Sequence, residues 1–64
     1  MKYRLTKREE DVVKLFAEGC TAKDISNRLK ISIHTVRTYS KSIITKLGAK
    51  NITHAVAMVT VELL

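Results

Sequence analysis

Thr6-Lys-Arg-Glu9 and Thr21-Ala-Lys-Asp24 are the same helix-opening device written twice. In each, a hydroxyl can accept from the backbone amide three residues on, while the acid there reaches back to the hydroxyl residue's own amide. Gly19 supplies the left-handed stop between them. Val12, Leu15 and Phe16 make an apolar stripe in the first helix. In the second, Ile25 and Leu29 lie one turn apart, and Ser26 is small enough to let another helix approach closely. Lys30-Ile31-Ser32 is too short for anything but a tight turn, and Ser32 caps a third helix, 33–47, that ends at Gly48. Its core stripe is Val36, Ile43 and Leu47, with Ile33 and Ile44 on the flank and Ser40 as a small contact. A fourth helix starts near Asn51 or Thr53 and runs to the C-terminus. The expected fold is all-α: four helices, the second and third forming a helix-turn-helix.

Size and composition agree. Residues 1–64 suffice for a single small domain, which buries only about 60% of the surface its unfolded chain exposes. Apolar residues make up 45% of the chain; proline is absent and glycine occurs twice, which suits helices joined by short turns. No apolar run approaches the roughly 20 residues that span a bilayer. Nothing resembles an export signal, so a cytoplasmic location is expected. Cys20 stands alone, which excludes an intrachain disulfide or a multi-cysteine zinc site. So small a core invites help from a partner subunit.

Charge is segregated along the same chain. Between Asp24 and Glu62 there is no acidic residue, yet Arg28, Lys30, Arg37, Lys41, Lys46 and Lys50 lie there. Residues 1–24 hold six cations against five acids and Glu62 cancels the excess, so the acid-free stretch accounts for the whole net charge of +6. Solvated helix surfaces mix signs, because opposite charges one turn apart support a helix and like charges oppose it. One sign carried through periodic, foldable sequence marks a surface built for a polyanion.

On an ideal wheel of about 3.6 residues per turn, His34, Arg37, Thr38, Lys41, Ser42 and Thr45 stand opposite the core stripe of the third helix. That face is polar, basic and free of carboxylates. It suits a recognition helix, whose N-terminal half enters the major groove while the preceding helix braces the DNA backbone. Thr35 lies in the first turn, where free amides and the positive dipole end favour a phosphate. No catalytic constellation accompanies this face. His34 and His54 have no third ligand or nucleophile at a useful spacing, and no glycine-rich phosphate loop occurs. Glu9, Glu10, Asp11 and Glu18 are balanced by Lys7, Arg8 and Lys14 and read as a solvated face, Glu9 serving the cap. No enzyme, metal site or cofactor is expected.

In order and spacing, Leu5-Thr-x-Arg-Glu9, Glu18-Gly19, Lys23-Asp-Ile, Leu29-x-Ile-Ser32, Thr35-Val-Arg37 and Ile43-x-x-Lys-Leu-Gly48 resemble the LuxR-type (GerE- or FixJ-type) helix-turn-helix domain, over residues 5 to about 63. The resemblance implies a DNA-binding domain of bacterial transcription regulators. Such a domain is usually the C-terminal output of a response regulator or quorum-sensing receptor, and occasionally a free-standing regulator. It also implies roles for the helices: the third reads bases, the second touches phosphates, the fourth pairs two monomers. Carried over position by position, the base contacts are Arg37, Thr38 and Lys41, with His34 beside them on the reading face. Arg37 suits guanine O6 and N7, Thr38 offers a methyl to thymine, and Lys41 reaches a guanine or a phosphate. The phosphate contacts are Lys23, with Thr21, Ser32, Thr35, Tyr39 and Lys46. Tyr39 stands where many members have histidine and keeps a hydroxyl donor. Ile52 stands where members commonly have arginine, which removes an ion pair, and Ser26 replaces the usual alanine.

The fourth helix is apolar on two faces. Ile52, Val56, Val59 and Leu63 suit the intramolecular core, whereas Thr53, Ala57, Thr60, Val61 and Leu64 lie roughly opposite. A helix apolar on two faces must be buried on both. A two-fold partner is the economical cover, so a homodimer is expected, pairing in some cases only on double-stranded DNA. Contact with RNA polymerase is a further expectation. Two other readings stay open: a basic module that docks an acidic protein, and a basic amphipathic helix on a membrane surface. The first lacks the aromatic or aliphatic anchors of docking faces, the second the Trp or Phe of interfacial helices.

Overall fold

The computed structural model describes residues 3–63, the side chain of Leu63 excepted. Among them are four helices and no strand: α1 Lys7–Ala17, α2 Ala22–Leu29, α3 Ile33–Leu47 and α4 Ile52–Leu63. Both capping boxes form. The Glu9 amide donates to Thr6 Oγ1 at 3.2 Å and the Thr6 amide to Glu9 Oε1 at 2.8 Å. Asp24 and Thr21 repeat the exchange at 3.1 and 2.9 Å. Ser32 caps α3 by accepting from the Thr35 amide at 3.0 Å. Asn51 caps α4, its Oδ1 accepting from the His54 amide at 2.8 Å, which fixes the start that the sequence left between two positions.

The first three helices end alike. The Cys20 amide reaches back to the Leu15 carbonyl at 3.1 Å, Ile31 to Ser26 at 3.0 Å, and Ala49 to Ile44 at 3.0 Å. Each closure passes through a left-handed residue. Gly19 (φ 94°) and Gly48 (φ 67°) adopt it freely, but the middle one is Lys30, with φ 57°. There a Cβ crowds the following carbonyl. Lys30→Gly is therefore expected to stabilise the domain by about 1 kcal/mol, relief of the left-handed strain outweighing glycine's larger unfolded-state entropy. The check is a higher urea midpoint at unchanged m-value.

α1 and α3 each pack against all the other helices, while α2 and α4 do not meet. The core between them is Val12, Val13, Leu15, Ile25, Val36, Ile43, Leu47, Ala55 and Val59. The α3 stripe is the expected one. Phe16 and Leu29 border the core rather than filling it, and Val13 is buried where the sequence stripe passed it over. On α4 the buried pair is Ala55 and Val59, one turn apart. Val56, expected inside, is rotated by about 100° from Ala55 and sits half-buried on the rim beside Phe16, Ile52 and Thr53. Leu64 and the Leu63 side chain lie outside the described residues. No helix among the described residues is long and apolar enough to cross a membrane.

Candidate nucleic-acid interface

Neighbours on three sides cover most of the rest of α3 and leave the strip opposite Val36, Ile43 and Leu47 open to solvent. His34, Arg37, Thr38, Lys41 and Thr45 are exposed on it, and Thr35 is half-buried at its start. The helix beneath is fixed at both ends, by the Ser32 cap and the Gly48 closure. Thr38 donates its hydroxyl hydrogen to the His34 carbonyl at 3.1 Å. What it can offer a ligand is therefore a methyl and oxygen lone pairs. At the N-terminus Ser32 takes the Thr35 amide, and the two hydroxyls lie 2.9 Å apart. The Thr35 amide is thus taken by the cap, and the free amides of this first turn are those of Ile33 and His34, which neither the cap nor the helix ladder satisfies.

Ser42 does not belong to the exposed strip. Its hydroxyl donates to Glu9 Oε2, across from α1, while Lys46 Nζ donates to Glu9 Oε1 at 2.7 Å. Glu9 is 3% exposed and has no water to fall back on. Burial alone would raise its pKa. The hydrogen bonds from Lys46, Ser42 and the Thr6 amide, with the Lys46 charge, overcome that and hold it down to about 2. Glu9 is thus both the end of a capping box and a clamp between the first turn of α1 and the C-terminal half of α3. The sequence showed the first role and not the second.

This changes the charge bookkeeping. Of the six cations in the acid-free stretch, Lys46 is bound to Glu9 and Arg28 leans on Glu18 at 3.9 Å. Lys30, Arg37, Lys41 and Lys50 make no ion pair among the described residues, nor does Lys23 on α2. Asp24, the one acid between Gly19 and Val61, is turned onto Thr21, whose backbone and hydroxyl hydrogen bonds lower its pKa. The sequence-named residues therefore divide. His34, Arg37, Thr38 and Lys41 share one exposed strip; Lys23 and Thr21 are exposed at the start of α2, and at the start of α3 Ser32 is exposed and Thr35 half-buried. Tyr39 packs against the core, which leaves only its hydroxyl for a phosphate, and Lys46 is committed to α1.

On α4, Thr53, Ala57, Thr60 and Val61 are all exposed, Val61 at 68%. Ala57 and Val61, with Tyr3, His54, Met58 and Glu62, border a shallow hollow of about 410 Å³. His54, to which the sequence gave no role, accepts the Lys50 amide on Nδ1 at 3.0 Å and so helps to start the helix. No group of three or more His, Cys, Asp or Glu among the described residues could hold a metal. Cys20 is half-buried against the core.

Known proteins resemble this chain in sequence and in fold. A family model described as bacterial regulatory proteins, luxR family, matches residues 3–59. A transcriptional regulatory protein described as uncharacterized, YvfU of Bacillus subtilis (strain 168), is 48% identical over 54 residues, which are 84% of this chain and 27% of that protein. Transcriptional regulatory protein RcsB of Escherichia coli (strain K12) is 42% identical over 48 residues, 75% of this chain and 22% of RcsB. The chain thus spans about a quarter of the length of these curated relatives. A solved structure of the Salmonella typhimurium RcsB response regulator, concerned with conformational dynamism for DNA interaction, superposes with a TM-score of 0.82 at 36% identity, over 92% of this chain and 30% of that one.

Proposed function

We propose how this chain works from one premise: it belongs to the luxR family of bacterial regulatory proteins. On that footing it is a transcription regulator, or the output domain of one, that binds double-stranded DNA sequence-specifically. The observation that carries this is the exposed strip of α3. Arg37 and Lys41 stand there without a carboxylate partner among the described residues, on a helix locked by a cap, a closure and the Glu9 clamp. An unpaired guanidinium on a fixed helix loses little entropy when it forks onto guanine O6 and N7. Thr38 presents its methyl for thymine, Lys41 a guanine or phosphate contact, and His34 a further edge. Lys23, Thr21, Ser32 and Thr35 position the domain on phosphates, with Tyr39 and Lys46 in lesser roles.

Residues 1–64 act as one domain with no catalytic role, and the work is done in the cytoplasm, where bacterial transcription takes place. Thr53, Ala57, Thr60, Val61 and Leu64 pair two copies on DNA, and contact with RNA polymerase completes the regulatory reading. Protein docking through α3 is the weaker alternative, because that strip lacks an aromatic or large aliphatic anchor at its centre.

Fluorescence anisotropy tests this. The parent should bind random duplex with an affinity that falls linearly on a log–log salt plot. A preferred site should then be found by selection from randomised duplexes. On that site Arg37→Ala should cost about 1–3 kcal/mol and relax selectivity at one or two base positions, with the helices intact by circular dichroism. Unchanged selectivity would sink the proposed docking, and salt-independent binding would sink the nucleic-acid reading itself.

A further inference from the structure

Resting on that DNA-binding reading, we propose that Thr45 is a further DNA contact, its hydroxyl donating a hydrogen bond to a phosphate of the duplex backbone. Thr45 is exposed on the reading strip of α3, one turn beyond Lys41 and two turns beyond Thr38. Two turns bring a helical position back to within about 20° of its starting direction, so Thr45 stands almost in line with Thr38. The face that carries Arg37, Thr38 and Lys41 to the groove therefore carries Thr45 as well. Its height along the helix decides what it meets. At about 1.5 Å rise per residue, Thr45 lies about 12 Å beyond Arg37. The major groove is about 8.5 Å deep, and the N-terminal half of a recognition helix reads its floor. At the height of Thr45 a side chain on this strip faces the sugar–phosphate wall rather than a base edge.

The state of the hydroxyl fits an acceptor-only partner. Serine and threonine on a helix readily give their hydroxyl hydrogen to a backbone carbonyl one turn back. Thr38 does so to His34 at 3.1 Å and Ser40 to Val36 at 3.2 Å, Ser42 donates to Glu9, and the Thr35 hydroxyl pairs with Ser32 at 2.9 Å. Thr45 alone among the serines and threonines of α3 makes no side-chain hydrogen bond within the described residues. Its hydrogen is free for a ligand, and threonine is among the side chains that hydrogen-bond phosphate oxygens. No carboxylate opposes the approach. Glu9, the acid that meets this part of α3, is 3% exposed and is occupied by Ser42 and Lys46, which flank Thr45 in the chain. Lys41, one turn before, keeps its charge unpaired among the described residues. A neutral hydroxyl displaces no counterion, so this contact sets the register of the helix on the duplex without adding to the salt dependence.

The test is a salt titration of random duplex and of the selected site with parent, Thr45→Val and Thr45→Ser. Valine keeps the branched shape and a methyl but lacks the hydroxyl; serine keeps the hydroxyl and lacks the methyl. Thr45→Val should weaken both duplexes by a similar factor, about 3- to 10-fold, the loss of one hydrogen bond, while the log–log slope stays that of the parent. Thr45→Ser should bind within about 2-fold of the parent, because its hydroxyl offers the same donor. Thr45 is exposed, so both variants should fold, with circular dichroism spectra matching the parent. Methylphosphonates placed singly along each strand locate the partner. At one position the neutralised phosphate should weaken parent and Thr45→Ser but not Thr45→Val. A Thr45→Val protein that binds like the parent, or a Thr45→Ser protein that loses as much as Thr45→Val, would overturn the hydroxyl contact alone. A loss confined to the selected site would make Thr45 a base reader and refute the phosphate assignment. A parent without salt-dependent binding would remove the DNA reading and this contact with it.

Discussion

Glu9→Gln should lower the stability of the domain by about 3 kcal/mol, a large share of what so small a core supplies. Gln keeps the size of the side chain but brings an amide N–H₂ to a site where the Thr6 amide, the Ser42 hydroxyl and the Lys46 ammonium all donate. At least one donor loses its acceptor, and Lys46 loses its counter-charge. Because the Lys46 side chain is 38% exposed, water repays part of that loss, which places the cost at the low end for a broken buried pair. Acid titration of the parent checks the same bond independently. The pKa of Glu9 is lowered from 4.5 to about 2, so the folded state binds fewer protons than the unfolded one in this range. The stabilisation is fully present above the unfolded value and is lost as pH falls through the folded one. At about 1.4 kcal/mol per unit this corresponds to about 3 kcal/mol between pH 5 and pH 2. Glu9→Gln should flatten that decline, leaving the smaller dependence from Asp24, whose pKa is also lowered. Urea unfolding at pH 7 and at pH 3 measures both effects; an equal loss on acidification in parent and variant would exclude Glu9 as the anchor.

What was legible in the sequence follows a physical boundary. Thr6, Thr21 and Ser32, Gly19 and Gly48, and the α3 stripe act over one helical turn, and each appears where local chemistry placed it. Periodicity also sorted the exposed strip of α3 from its core face, except at Ser42. That exception, with Glu9 and Lys46, depends on contacts 33 and 37 residues apart in the chain, which no local pattern encodes. One signal was present nonetheless. Glu9 sits a turn before Val12 and Val13 on the face that packs inward, and a carboxylate there needs a cation from another element. The rotation of α4 was hidden for a different reason. Nearly every position of that helix is apolar or threonine, so its composition supports several core faces, and Ala55, small and inconspicuous, wins by close approach. Tyr39 shows the same ambiguity: its ring answers equally to a polar and an apolar environment, and in the structure it packs against the core.

The same two-faced composition motivates the remaining prediction. With Ala55 and Val59 turned inward, α4 leaves Thr53, Ala57, Thr60 and Val61 in solvent, a strip with no charged residue. If two copies pair through it, a two-fold axis sets two reading helices on successive turns of one DNA face, and half-sites are inverted about 10 bp apart. The strip is short, so pairing should be weak in free solution and strong on a full site, where the shared duplex raises the effective concentration. Val61→Asp places a charge in the seam. Since Val61 is 68% exposed in the single chain, the fold and the affinity for one half-site should be untouched. The full site, deprived of cooperativity, should be bound on the order of 100-fold less tightly, the lower range of what bivalency supplies. Gel-shift titrations on half and full sites, with sedimentation of the free protein, measure each quantity separately. Equal cooperativity in Val61→Asp and parent would remove α4 from the dimer contact while leaving the assignment of α3 as the reading helix intact.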